Sequence, residues 1–159
     1  MHVFDASSTI SAWDNYPIQQ FPRLWDWFGQ HVQNGAIALP SVAFQEVGFK
    51  TSECTDWLES NGIVKLPVTN AIARAALMIK GKLGVINDRY GPGVDENDIL
   101  IISTAFAQGV PLVSDEAVQA LPPQNLLKYK MPTVCRMKGV GVSCIRFIDF
   151  LKNSEAVFG

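Results

Sequence analysis

The stretch that most constrains this chain is its opening, His2-Val3-Phe4-Asp5-Ala6-Ser7-Ser8-Thr9. A short apolar run stops at a carboxylate, and small hydroxyl residues that can cap a helix follow it. The pattern predicts a first strand ending at Asp5 and a helix opening just after. In an open α/β sheet, chemistry collects beyond the carboxyl ends of the strands, which puts Asp5 at the floor of a site. The simpler alternative is that Asp5 only caps the helix.

Signals of alternating strand and helix continue from there. A helix is expected from Pro22, with Phe21, Leu24, Trp25, Phe28 and Val32 on one buried face. Residues 36–40 read as a buried strand, and Ser41 as the N-cap of a helix over 42–49 that carries Glu46. A helix over 52–60 and an extended segment over 63–66 follow. Thr69 is placed to cap a helix over 70–83, and 84–93 is expected to be a flexible loop. Gly81-Lys82 lacks the earlier glycine of a phosphate-binding P-loop. Asp95-Glu96-Asn97-Asp98 then precedes a β-branched run whose acidic front and Gln108-Gly109 end favour a buried helix over a strand. Residues 110–113 read as a strand, 132–135 as a short helix and 140–144 as a late strand. A terminal helix over 145–152 should turn Phe147, Ile148 and Leu151 inward. Such alternation predicts an α/β fold with a mainly parallel sheet.

At 159 residues the chain is long enough to bury a core as one domain. Hydrophobic residues at 48% against charged residues at 18% exclude a disordered chain. No apolar run approaches the roughly 20 residues that span a bilayer, and the N-terminus lacks the marks of a secretory signal. Cys54, Cys135 and Cys144 have no metal-ligand spacing, and their odd number argues against a disulfide framework. A cytoplasmic location is expected. The net charge of −2 argues against indiscriminate nucleic-acid binding. Its distribution is uneven, however. Residues 123–152 carry Lys128, Lys130, Arg136, Lys138, Arg146 and Lys152 against Asp149 alone. That segment suits a phosphate-bearing partner, or is ordinary solvated surface.

Four acidic positions stand out: Asp5 after the first strand, Glu46 within a helix, Asp98 opening a helix, and Asp115-Glu116 after a later strand. Carboxylates that meet at strand ends repel one another unless a cation neutralises them, and Mg²⁺ or Mn²⁺ suits such oxygen donors. An ion held this way can activate water and offset charge on a phosphoryl oxygen, as in metal-dependent nucleases. Each acid also has a plainer reading. Glu46 could pair with Lys50 one turn on, Asp98 could serve the helix N-terminus, and Asp95 and Glu96 read as cap or loop charges. Capping of the first helix falls more naturally to Ser7 or Ser8, which frees Asp5 for metal.

In their order and spacing, Val3-Phe4-Asp5-Ala6-Ser7, Val42-Ala43-Phe44-Gln45-Glu46-Val47, Asp98-Ile99-Leu100-Ile101-Ile102 with Ala105, and Leu112-Val113-Ser114-Asp115-Glu116 resemble the PIN domain. More narrowly, Phe21-Pro22-Arg23-Leu24-Trp25-Asp26-Trp27 and Met131-Pro132-Thr133-Val134-Cys135 with Val142-Ser143-Cys144 resemble the DUF4411 branch of PIN-like proteins. The resemblance implies a single PIN-like domain over 1–159, a three-layer α/β/α sandwich with a central, mainly parallel sheet. It implies an Mg²⁺- or Mn²⁺-dependent endoribonuclease, as in the VapC-type toxins of type II toxin–antitoxin pairs. Asp5, Glu46 and Asp98 then take the three core acidic roles, and Ser7 orients the first aspartate. The fourth acid is Asp115 or Glu116; the family pattern counted from Ser114 selects Glu116, although aspartate is commoner there. RNA as substrate, a cognate antitoxin protein, a homodimer and no membrane association follow from the same resemblance. Two other readings stay open. One is a PIN-like module that binds RNA or a protein with little or no catalysis. The other, a small-substrate phosphohydrolase, is weaker because Asp5-Ala6-Ser7 lacks a second aspartate two residues after the nucleophile.

Overall fold

In the computed structural model, which describes residues 1–159, one sheet is built from five short strands. They are β1 (His2–Phe4), β2 (Ile37–Pro40), β3 (Val64–Leu66), β4 (Leu112–Val113) and β5 (Cys144–Ile145). Every pairing is parallel, in the order β3-β2-β1-β4-β5. A parallel strand buried along its whole length, as β2 is, needs cover on both faces. Eight helices supply it: α1 (Ala6–Asn15), α2 (Pro22–Gln33), α3 (Ser41–Lys50), α4 (Ser52–Ser60), α5 (Asn70–Leu83), α6 (Glu96–Gln108), α7 (Met131–Cys135) and α8 (Phe147–Ser154). None is long and apolar enough to cross a membrane.

The strands divide their side chains between two cores, as a period of two requires. Val3 and Leu112 join Ile79, Leu83, Ile99 and Ile102 beneath α5 and α6. Phe4 and Val113 enter the opposite core with Trp25, Phe28, Leu58 and Phe147. There Phe4 meets Phe28 and Phe150 edge to face, at 5.6 and 5.1 Å between ring centroids. Helix α8 faces inward through Phe147 and Phe150, whereas Ile148 and Leu151, the expected inward pair with Phe147, are half-buried. The helix starts two residues later than expected. Phe21 also departs from expectation: it precedes α2 as its N-cap and is exposed. Ser41 lies inside α3, whose cap position is Pro40 and receives no side-chain hydrogen bond.

Thr69 does cap α5, accepting the Ile72 N–H. Thr69→Ala is expected to cost about 1 kcal/mol in a urea melt, the usual value of such a cap. The expected flexible loop over 84–93 is instead tied down on both sides. Lys80 bridges Asp88 and Glu96, and the Tyr90 hydroxyl donates to Glu96. The Gly93 and Val94 N–H groups donate to Leu127 and Tyr129 carbonyls, both at 2.9 Å. A glycine is required where these backbones meet, since a Cβ on Gly93 would lie 2.7 Å from the Leu127 oxygen. Gln119 locks the facing segment through Lys128, Lys130 and Thr133.

Candidate acidic site

β1 lies between β2 and β4, so the chain order reverses at the β1/β4 junction. That switch point opens a crevice at the carboxyl ends of the strands, where Asp5 and Ser114 emerge side by side. Asp5 is 2% exposed. It is the N-cap of α1, accepting the Ser8 N–H at 2.8 Å, and so it holds the role expected of Ser7 or Ser8. The physical reason is spacing: helix follows strand without a linker, so the residue leaving the strand is itself the cap. The Ser114 hydroxyl donates to Asp5 Oδ2 at 2.6 Å, and the Ser7 hydroxyl lies 2.9 and 2.8 Å from its two oxygens. Burial pushes the Asp5 carboxyl up to about 6, against the opposing pull of the bonds from Ser114, Ser8 and Ser7.

Asp98 sits in the first turn of α6. It forms a capping box with Asp95, each backbone N–H donating to the other's carboxylate, at 2.9 and 3.0 Å. Burial pushes its carboxyl up to about 7; the Asp95 N–H pulls the other way, and the charges of Asp95, Glu116 and Glu46 add to the rise. Glu46 and Glu116 therefore act on Asp98 through space. Glu46 does not pair with Lys50; its Oε1 accepts from Asn97 Nδ2 at 2.8 Å. Asp115 and Glu116, adjacent in sequence, part company here. The Asp115 carboxylate accepts the Phe147 N–H at 2.9 Å and so finishes the start of α8, while its own N–H donates to Ser7 Oγ. The Glu116 N–H donates to Ser114 Oγ.

No three His, Cys, Asp or Glu side chains are grouped so that they could hold a metal ion. As placed, the acids are not grouped to hold the Mg²⁺ or Mn²⁺ that the sequence pattern calls for; Asp5, Asp98 and Glu46 each bond the protein's own donors. Two residues tie the site together. Ser114, expected in a supporting role, joins Asp5 to the β4 end. Asn97 joins α6 to α3, and no local pattern signals a contact between residues so far apart in sequence.

A parallel five-stranded sheet in this order, covered on both faces, is a PIN-like α/β/α fold. A family model described as a domain of unknown function (DUF4411) matches residues 2–158, and the chain belongs to that family. Among solved structures, FitAcB from Neisseria gonorrhoeae matches with a TM-score of 0.51 at 13% identity, covering 93% of this chain and 99% of its own. FitAB bound to an IR36 DNA fragment matches with a TM-score of 0.54 at 13% identity, covering 92% and 95%. VapBC2 from Rickettsia felis, bound to a promoter DNA fragment, matches at 0.48 and 17% identity over 72% and 86%. No curated protein matches the chain.

Proposed function

We propose that this chain is a PIN-like RNA-binding module, one domain over 1–159, in which phosphodiester hydrolysis is weak or absent. One observation carries the reading: the acids form no ion-holding group, and Asp5, Asp98 and Glu46 accept hydrogen bonds from the protein's own donors. The 123–152 segment supplies the binding side. Lys128, Arg136, Lys138 and Lys152 are exposed and have no carboxylate partner, whereas Arg146 is bridged to Asp149. Lys82 of α5 adds its ammonium beside Gly139. Free cations of this kind gain affinity for a phosphate backbone by releasing its counterions.

Fluorescence anisotropy with a labelled single-stranded RNA in EDTA tests this. Arg136→Glu with Lys138→Glu is expected to weaken binding about tenfold at low salt and to flatten the salt dependence by roughly 0.7 per lost phosphate contact. Binding unchanged in the double variant would sink the assignment.

A second reading has its own observation. The charges of Glu46 and Glu116 both bear on Asp98 across the crevice. That arrangement supports the metal-dependent endoribonuclease, a cytoplasmic toxin with Asp5, Glu46, Asp98 and Glu116 as its acids and Ser7 and Ser114 in support. An antitoxin partner and a homodimer belong to this reading through the sequence resemblance. Mn²⁺-dependent RNA cleavage that Asp5→Asn abolishes would favour it over the first.

A further inference from the structure

Of the three cysteines, two meet. Cys135 is the last residue of α7 and Cys144 the first of β5. Strand parity turns both thiols to the same side of the sheet. Cys144 stands in register with Leu112, whose side chain lies in the core beneath α5 and α6. The next pair, Ile145 and Val113, faces the opposite core. Cys135 is fully buried in the first of these cores, and Cys144 packs against it. The Val142 N–H donates to the Cys135 carbonyl at 3.0 Å, which draws the two ends of the 136–143 loop together. The thiols are hydrogen-bonded to each other, and that bond, with burial, pushes the Cys135 thiol up and keeps it protonated. Cys54 takes no part, being buried in the opposite core. β5 is an edge strand and Cys144 is only half-buried, so a small oxidant reaches its sulfur first.

We infer that Cys135 and Cys144 are an oxidation site, closed to an internal disulfide by hydrogen peroxide and reopened by a thiol reductant. The Cys144 sulfur attacks one peroxide oxygen and the O–O bond breaks. Cys144 becomes a sulfenic acid, and its proton leaves on the departing oxygen as water. The Cys135 sulfur then attacks the Cys144 sulfur, the S–O bond breaks, and the released hydroxide takes the Cys135 proton as a second water. Two electrons pass from the sulfurs to the peroxide. The loop closed in this way carries Arg136 and Lys138, the proposed RNA contacts, but closure itself does not depend on that reading.

Peptide mapping of the full chain tests it. The protein is treated with hydrogen peroxide, unfolded, alkylated and cut with trypsin, which cleaves after Lys130, Arg136, Lys138 and Arg146. Cys135 and Cys144 then fall on separate peptides, residues 131–136 and 139–146. The expected product is these two peptides joined by a disulfide, lost on dithiothreitol treatment and absent in Cys144→Ser. Cys54 should be alkylated with and without peroxide. The thermal midpoint of the oxidised chain should rise by about 5 °C, because the bridge restricts the unfolded chain. Cys135 and Cys144 both recovered alkylated after peroxide overturn the inference. So does Cys144 found as a sulfinic acid, or in a bridge between two chains, in place of the internal disulfide. A bridge that fails to raise the midpoint overturns it too, since sulfurs placed to meet close without straining the fold.

Discussion

Asp5→Asn is expected to stabilise the protein at pH 8, while Asp5→Ala destabilises it. The carboxyl of Asp5 is buried and holds its proton up to about 6, whereas the unfolded chain releases it near 3.8. Between those values the folded state binds more protons, so stability falls as pH rises. The contribution is complete below the unfolded value and is lost by the time pH has passed the folded one. A gap of about two units corresponds to about 3 kcal/mol, and compensating losses leave a net gain for asparagine of about 1–2 kcal/mol. Asparagine can meet the same neighbours, its carbonyl accepting the Ser8 N–H and its amide donating to Ser114 Oγ. Alanine leaves both the Ser8 N–H and the Ser114 hydroxyl without their acceptor, at a cost of about 2–4 kcal/mol. Urea melts across the acid-to-neutral range check this. Wild-type stability should slope downward with pH and the slope should shrink in Asp5→Asn; a flat wild-type profile with a weaker Asp5→Asn would contradict it.

Gly93→Ala is expected to cost about 2–4 kcal/mol, near the top of the range for overpacking, because the new methyl would meet backbone rather than side chain. Its neighbours would be the Tyr129 and Leu127 carbonyl oxygens and the Lys128 carbonyl carbon. Relief means separating the two segments, which breaks the Gly93-to-Leu127 and Val94-to-Tyr129 hydrogen bonds. Those bonds lie just ahead of Asp95, so the capping box at the start of α6 should loosen with them. The Val94 amide should then exchange hydrogen faster than in wild type. Gly81→Ala is the matched control. It lies within α5 with nothing near its Cβ position, and alanine there should add about 0.5–1 kcal/mol through helix propensity. Equal effects at the two glycines would mean that the close approach carries no weight.

Much of the architecture was legible because each element carried its own signal. The β-branched run after Asp98 became α6 because its acidic front and terminal glycine outweighed strand propensity. Thr69 announced α5, and the 112–116 stretch announced a strand end followed by polar residues. The shortest strands were blurred. β4 has two residues and β5 two, and the Val142 N–H turns aside to the Cys135 carbonyl where a longer strand was expected. Residue type and order single out Asp5, Glu46, Asp98 and Glu116 as candidates, but not their hydrogen bonds. The cap of α1 falls to Asp5 rather than to the serines, because a residue at a strand-to-helix junction can cap a helix and still face the crevice. Asp115 looked interchangeable with Glu116 until α8 claimed its carboxylate. The Asn97 contact with Glu46 depends on how α3 and α6 pack, which no local spacing encodes.

The central question is whether this chain binds RNA without cutting it. The direct measurement incubates labelled single-stranded RNA with the purified chain in EDTA and in Mn²⁺, then resolves bound, free and cleaved strands. The expected result is the same complex in both conditions, with the RNA intact. Turnover of the RNA in Mn²⁺, absent in EDTA and lost in Asp5→Asn, would contradict it and make the chain a metal-dependent ribonuclease.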